Sequence, residues 1–178
     1  SGIAAHVANA GINVLLLDIV PENADNRNIL VENALKNIKS SKPASLMHPS
    51  LTRHISIGNL EDDIDKISEC DWICEAVIEN LEIKKDIYIL IEKHRKVGSI
   101  VSSNTSTIPL SKLVAGLPEN FLSDFAITHF FNPPRYMQLL EIVQGKSTKE
   151  KVIEILTSFG DLILGKQVVI CKDTPGFI

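Results

Sequence analysis

No apolar run in the 178 residues approaches the ~20 needed to span a bilayer; stretches such as Val14 to Leu17 are among the longest. No charged leader region opens the chain, so it reads as soluble and not secreted. A basic surplus is lacking too. With 18 Lys+Arg against 22 Asp+Glu and a formal net charge of -4, little is left to neutralise a nucleic-acid backbone, and nucleic acid is not an expected partner. Cysteine is sparse: Cys70, Cys74 and Cys171 are an odd number without the spacing of a tetrahedral metal site. They are expected to be buried free thiols in a reducing compartment, the bacterial cytoplasm first and a mitochondrial matrix as the alternative, and no metal is expected. What the chain does have is 44% hydrophobic and 22% charged residues, enough for one globular core and too much apolar content for disorder. It starts on Ser1 rather than Met and stops at Phe177-Ile178, which reads as part of something longer.

Small, helix-compatible residues fill Ser1 to Ala10, with Gly11 placed for a left-handed cap. Asn13 to Asp18 (NVLLLD) is too short for a helix and reads as a buried parallel strand ending in a carboxylate. A helix is expected from Pro21, with Ile29, Leu30, Ala34, Leu35 and Ile38 at helical spacing, then a polar connection from Ser40 to Arg53. Further on come a strand at Ile55 to Ile57, a weak acidic helix at Leu60 to Ile67, and a strand at Trp72 to Val77. Leu81 to His94 reads as a helix with Ile83, Ile87, Leu90 and Ile91 on its apolar side. The remaining pattern is strand Ser99 to Ser103, short helix Ser111 to Ala115, strand Phe125 to Phe131, strand Leu139 to Val143, helix Thr148 to Leu164 and strand Gln167 to Cys171. Alternation of this kind predicts an α/β fold, a doubly wound, mainly parallel sheet with helices on both faces. Ligands of such sheets bind beyond the carboxyl ends of the strands. That directs attention to Asp18, Glu75, Glu79, Asn104 to Ser106 and His129 to Asn132.

Asp18 ends a strand that follows a helix, where a dinucleotide-binding fold places a carboxylate to accept both ribose hydroxyls of the adenosine half. Such a carboxylate repels a 2′-phosphate and favours NAD over NADP; an ordinary turn aspartate is the plain alternative. The G-x-G-x-x-G turn that would decide between them is absent from the chain. His129 alone on an apolar strand would usually be a core residue satisfied by one hydrogen bond. Glu141 in the next strand, after the Asn132-Pro133-Pro134 turn, changes that reading: a carboxylate beside the imidazole fixes its tautomer and supports a general base for an alcohol. Otherwise Glu141 is an edge carboxylate facing water. Asn104-Thr105-Ser106-Thr107 follows a strand, and its hydroxyls suit either a substrate oxygen or a simple helix cap.

Thr128-His129-Phe130-Phe131-Asn132-Pro133 with Leu140-Glu141-Ile142-Val143 closely resembles the active-site segment of 3-hydroxyacyl-CoA dehydrogenases. So do Ser103-Asn104-Thr105-Ser106, Glu75-Ala76-Val77-Ile78-Glu79-Asn80-Leu81 and Lys172-Asp173-Thr174-Pro175-Gly176-Phe177, while Ser1-Gly2-Ile3-Ala4-Ala5 looks like the helix after that family's glycine loop. The resemblance spans essentially the whole chain. It implies a Rossmann-type domain and NAD-dependent interconversion of (S)-3-hydroxyacyl-CoA and 3-oxoacyl-CoA in fatty-acid β-oxidation. It further implies His129 as general base, Glu141 as its orienting partner and Ser106 on the substrate oxygen and near the cofactor. Asp18 would hold the adenine ribose, and Glu79, Lys84 and Asn132 would contact NAD. By its surroundings (Glu82, Lys84, Lys85, Asp86) Lys84 reads instead as part of a solvated helix face, and Lys36, Lys39 and Lys42 read as a solvated helix end rather than a coenzyme A site. Lys42-Pro43-Ala44 and Pro133-Pro134-Arg135-Tyr136 look more like the large bacterial proteins in which the dehydrogenase is fused to an enoyl-CoA hydratase.

Two parts of the family pattern are missing: the first strand with its glycine loop, and the helical domain that supplies part of the acyl-CoA pocket and the dimer contact. Residues 1–178 are therefore expected to be an incomplete NAD-binding domain, inactive by itself, in which two strands lose a ladder partner. A homodimer is expected only with that helical domain. The competing reading is a non-catalytic, truncated NAD-binding module.

Overall fold

The computed structural model describes residues 1–174, 176 and 177. Pro175, inside the Lys172 to Phe177 motif, and Ile178 lie outside the described residues. The chain divides into two compact units: Ser1–Lys66 with Phe131–Gln138, and Ile67–Phe130 with Leu139–Ile178.

The first unit holds α1 (Gly2–Asn9), β1 (Val14–Asp18), α2 (Ile29–Ser40) and β2 (Ile55–Asn59). Gly11, with φ at +76°, supplies the left-handed turn that stops α1, and its N–H returns to the Ala8 carbonyl at 3.0 Å. β1 and β2 are parallel, in register from Val14↔Ile55 to Asp18↔Asn59. Their core is Ala5, Ala8, Ile38, Leu46 and Ile55, with Val14, Leu16, Leu35, Leu51 and Ile57 packed against it. The two alanines of α1 are what allow that helix to lie close to its strands. Two expectations are corrected. β1 is half-buried along its length rather than buried. The second helix begins at Ile29, not Pro21, because residues 21–28 carry no apolar period and turn on their own polar groups, Asn26 Oδ1 taking the Asn28 N–H at 3.0 Å. The polar connection ends in a 3₁₀ turn at Pro49–His54, and the weak acidic helix is a 3₁₀ turn displaced to Ile64–Glu69.

In the second unit, β3 (Trp72–Glu75), β4 (Ile100–Ser103), β5 (Phe125–Phe130), β6 (Leu139–Gln144) and β7 (Gln167–Cys171) form one sheet in that spatial order. Every neighbouring pair is parallel except β5 and β6. Between the strands run α3 (Leu81–His94), α4 (Leu110–Leu113), α5 (Glu119–Ser123) and α6 (Glu150–Ser158). Asn80 caps α3, its Oδ1 taking the N–H groups of Glu82 and Ile83. The stripe α3 buries is Lys84, Tyr88 and Ile91 at i, i+4, i+7; Ile83, expected on that side, is exposed. Tyr88 meets Phe121 and Phe125 at centroid distances of 5.7 and 5.2 Å, so α5, which the sequence pattern did not reveal, is anchored by an aromatic cluster. The helix expected to run unbroken to Leu164 changes to a π turn at Phe159–Ile163. There Gly160 approaches the sheet so closely that a Cβ would lie 2.8 Å from Leu140 Cδ2 and 2.9 Å from Val168 Cγ2.

Among the described residues β1 pairs only with β2 and β3 only with β4 in these ladders. The three cysteines are free but half-buried rather than buried. No described helix is long and apolar enough to cross a membrane.

Candidate active site

Antiparallel pairing of β5 and β6 sets His129 directly opposite Glu141. Cross-strand partners on one face lie close enough for side chains to meet, and the imidazole Nδ1 and the carboxylate Oε2 are 2.6 Å apart. Glu141 is 2% exposed at its side chain and His129 16%, so the anion is sheltered while the ring reaches the surface. A carboxylate so placed holds the proton on Nδ1 and makes Nε2 the accepting nitrogen. The other carboxylate oxygen, Oε1, lies 3.9 Å from the Cys171 Sγ, and burial together with the Glu141 charge pushes that thiol's pKa up. The Phe177 ring packs edge-on against His129 at 5.9 Å. Its segment is held by Asp173, whose carboxylate takes the Leu110 N–H at 2.5 Å and the Ser111 N–H at 3.0 Å. Asp173 and Phe177 belong to the matched terminal motif but were not singled out from sequence; a helix start at Leu110 without a local side-chain cap was the available signal.

At the carboxyl end of β4, Ser106 is exposed and its N–H points to Glu79 Oε1 at 3.2 Å. That same oxygen takes the Thr105 hydroxyl, the Thr107 N–H at 3.3 Å and the Thr107 hydroxyl at 3.1 Å. Partial burial works against ionisation of Glu79, but the hydroxyl bonds and the nearby Lys84 charge outweigh it and bring its pKa down to about 2. The structure thus brings Glu79, Ser106 and Lys84 together. Lys84 corrects the reading from its charged surroundings: the side chain is 1% exposed, with its ammonium 2.9 Å from Glu75 Oε1 and 3.3 Å from Glu79 Oε2. Asn104 Oδ1 takes the Phe130 N–H at 2.8 Å, tying the start of this loop to the end of the His129 strand.

Asp18 and Asn132 belong to the other unit. Asp18 is half-buried at the carboxyl end of β1, with Oδ1 taking the Ile19 N–H at 2.8 Å. Asn132 is exposed. Next to it, Arg135 donates to the Ala44 and Leu46 carbonyls, both at 2.8 Å, and the Tyr136 hydroxyl donates to Ala44 at 3.0 Å. The two proline-containing segments singled out from sequence therefore meet each other. Lys36, Lys39 and Lys42 are exposed, as a solvated helix end would be.

A mainly parallel sheet that delivers its polar side chains at the carboxyl ends of its strands is the architecture of the Rossmann-type dinucleotide-binding domains, and this chain is of that class. Comparison with known proteins makes the assignment specific. Residues 1–174 match the family model of the 3-hydroxyacyl-CoA dehydrogenase, NAD binding domain, and the chain belongs to that family. It is 48% identical to the probable 3-hydroxyacyl-CoA dehydrogenase of Bacillus subtilis (strain 168), the alignment covering 100% of this chain and 24% of that protein. Against the putative fatty acid oxidation complex trifunctional enzyme of Rickettsia prowazekii (strain Madrid E) the identity is 47%, over 100% of this chain and 25% of that one. The chain therefore spans about a quarter of the length of these relatives. Among solved structures, 3-hydroxybutyryl-CoA dehydrogenase from Escherichia coli K12 superposes with a TM-score of 0.77 at 30% identity, covering 99% of this chain and 36% of that one. The family's cofactor is NAD.

Proposed function

We propose that the protein carrying this chain oxidises (S)-3-hydroxyacyl-CoA to 3-oxoacyl-CoA with NAD, and reverses the reaction, as a step of fatty-acid oxidation. The observation that carries the reading is the 2.6 Å contact between His129 Nδ1 and Glu141 Oε2. With Glu141 on Nδ1, Nε2 is the atom that takes the proton of the 3-hydroxyl group. Glu141 then stabilises the imidazolium that forms, and in the reverse direction the same nitrogen returns the proton. The exposed Ser106 hydroxyl donates to the substrate oxygen, favouring the developing alkoxide. NAD, when bound, accepts the hydride from C3.

The donor chemistry present fits that cofactor. Asp18 offers an anion at the end of a parallel strand, suited to a ribose diol and hostile to a 2′-phosphate. Glu79 and Ser106 follow β3 and β4, where the nicotinamide half is expected. The test is NADH oxidation by acetoacetyl-CoA in the protein at its full natural length. Activity lost in His129→Gln, with NADH still bound, supports the assignment; no NADH oxidation in the wild type, or an unaltered rate in His129→Gln, overturns it.

A second reading, a module of this chain that binds NAD weakly or serves only a structural role, is favoured by β1 and β3 each pairing with a single strand among the described residues. Calorimetric titration of the 178-residue chain with NAD separates the two readings, because tight binding excludes the second.

A further inference from the structure

The carboxyl edge of the second unit's sheet contains a buried carboxylate, Glu75, that the proposed chemistry does not use. Glu75, the last residue of β3, has a side chain with 0% exposure. Its Oε1 takes the Val77 N–H at 2.6 Å and the Lys84 ammonium at 2.9 Å, and its Oε2 takes the hydroxyls of Tyr88 and Ser103, both at 2.7 Å. Lys84 also forms an ion pair with Glu79 Oε2 at 3.3 Å and donates to the Val77 carbonyl at 3.4 Å. Glu79 in turn takes the Thr105 hydroxyl, the Ser106 N–H, and both the N–H and the hydroxyl of Thr107. One continuous line of contacts thus runs from the interior to the loop that carries Ser106.

Stability alone does not call for ions here, because replacing a buried ion pair by apolar side chains of similar volume is often neutral or better. What an apolar pair could not do is extend a charge to Glu79. Lys84 sits one helical turn before Tyr88 on the buried stripe of α3, so the helix delivers both donors to the same carboxylate.

We propose that Glu75 is a positioning residue for the Ser106 loop, acting through Lys84 and Glu79. The inference rests on the reading of that loop as the place of the substrate oxygen and the nicotinamide half.

The test uses the protein at its full natural length and the variant Glu75→Gln/Lys84→Met, which removes both charges so that neither is left buried alone. Amide exchange at Ser106 and Thr107 should accelerate about tenfold, the scale of one charge-assisted hydrogen bond, while Asn104, whose N–H is on the Glu75 main-chain carbonyl, stays protected. Unchanged exchange at Ser106 overturns the positioning role. In parallel, NAD affinity is measured by calorimetry for Glu75→Gln, for Glu79→Gln and for their combination. Each should weaken binding about tenfold, and the combination should be no worse than either alone, as for residues acting in one line. A combined loss equal to the product of the two means that Glu75 acts by another route than Glu79 and overturns the positioning role. If the double variant does not fold, Glu75→Gln alone, which keeps Lys84 paired with Glu79, carries the same exchange test. A wild type that fails to bind NAD refutes the functional reading, whereas a wild type that binds NAD with an unaltered loop in the variant refutes only this inference.

Discussion

At the amino end of the parallel strands β3 to β5, Arg95 bonds Asp124 Oδ2 at 3.0 Å, the Ser99 carbonyl at 2.6 Å and Glu92 at 2.5 Å, with its guanidinium 5.5 Å from the Phe121 ring centre. Asp124 also holds Lys149 at 2.8 Å. At the carboxyl end, Glu75 and Lys84 form an equally buried pair. The difference is where each network leads. Every Arg95 contact returns to a helix end or a strand start, so the cluster fastens α3, α5, β5 and α6 to one another and stops there. The Lys84 contact continues through Glu79 to an exposed hydroxyl loop, and on the same edge His129 and Glu141 face each other across two strands. One end of the sheet holds the fold together; the other carries the candidate site.

The comparison predicts two kinds of failure. His129→Gln in the protein at its full natural length should lower kcat by about a thousandfold, within the span of general-base catalysis, and leave NADH binding and the melting temperature unaltered. Arg95→Met should do the opposite: it leaves the buried Asp124 with Lys149 as its remaining cation and should cost about 1.5–3 kcal/mol in urea unfolding, the scale of a hydrogen bond to a charged group, with the rate per folded molecule unchanged. Loss of activity without loss of stability in Arg95→Met would break the division between the two ends. Glu141→Gln should lower kcat by roughly a hundredfold, since the base remains but its tautomer and imidazolium lose their anion. Asp173→Ala should cost about 0.5–2 kcal/mol, the value of a helix cap, and loosen the segment that sets Phe177 against His129.

The smallest effect concerns pH. Glu79 is brought from 4.5 to about 2 in the fold, so the unfolded chain takes up its proton first. Its contribution is complete above the unfolded value and is lost as pH falls toward 2. The stability difference between wild type and Glu79→Gln, read from urea midpoints, should therefore shrink steadily below pH ~4.3. A difference that grows on acidification would contradict the sign.

Elements with one strong period were readable directly. Leu81 to His94 and Gln167 to Cys171 are found at those bounds, because Asn80 caps the first and Gly165, with positive φ, precedes the second. The His129 and Glu141 pairing was readable because a short turn between two apolar runs forces strand adjacency. Lys84 was not. A lysine in the run Glu82 to Asp86 looks solvated, and only its i, i+4 relation to Tyr88 hinted at burial. The start of α2 was misplaced because proline can open a helix, yet the residues after Pro21 have no apolar face to bury. The π turn after α6 depended on a tertiary approach at Gly160, which no local pattern encodes. For Asp18, the glycine turn that would have decided its reading is not in the chain.

The measurement that most directly tests the account is the ring-nitrogen NMR of His129 in the full-length protein. With Glu141 Oε2 at 2.6 Å from Nδ1, the proton should sit on Nδ1, and Nε2 should give the shift of an unprotonated, accepting nitrogen. In Glu141→Gln the two tautomers should become mixed. A proton found on Nε2 in the wild type would leave no base where the reaction needs one and would contradict the assignment.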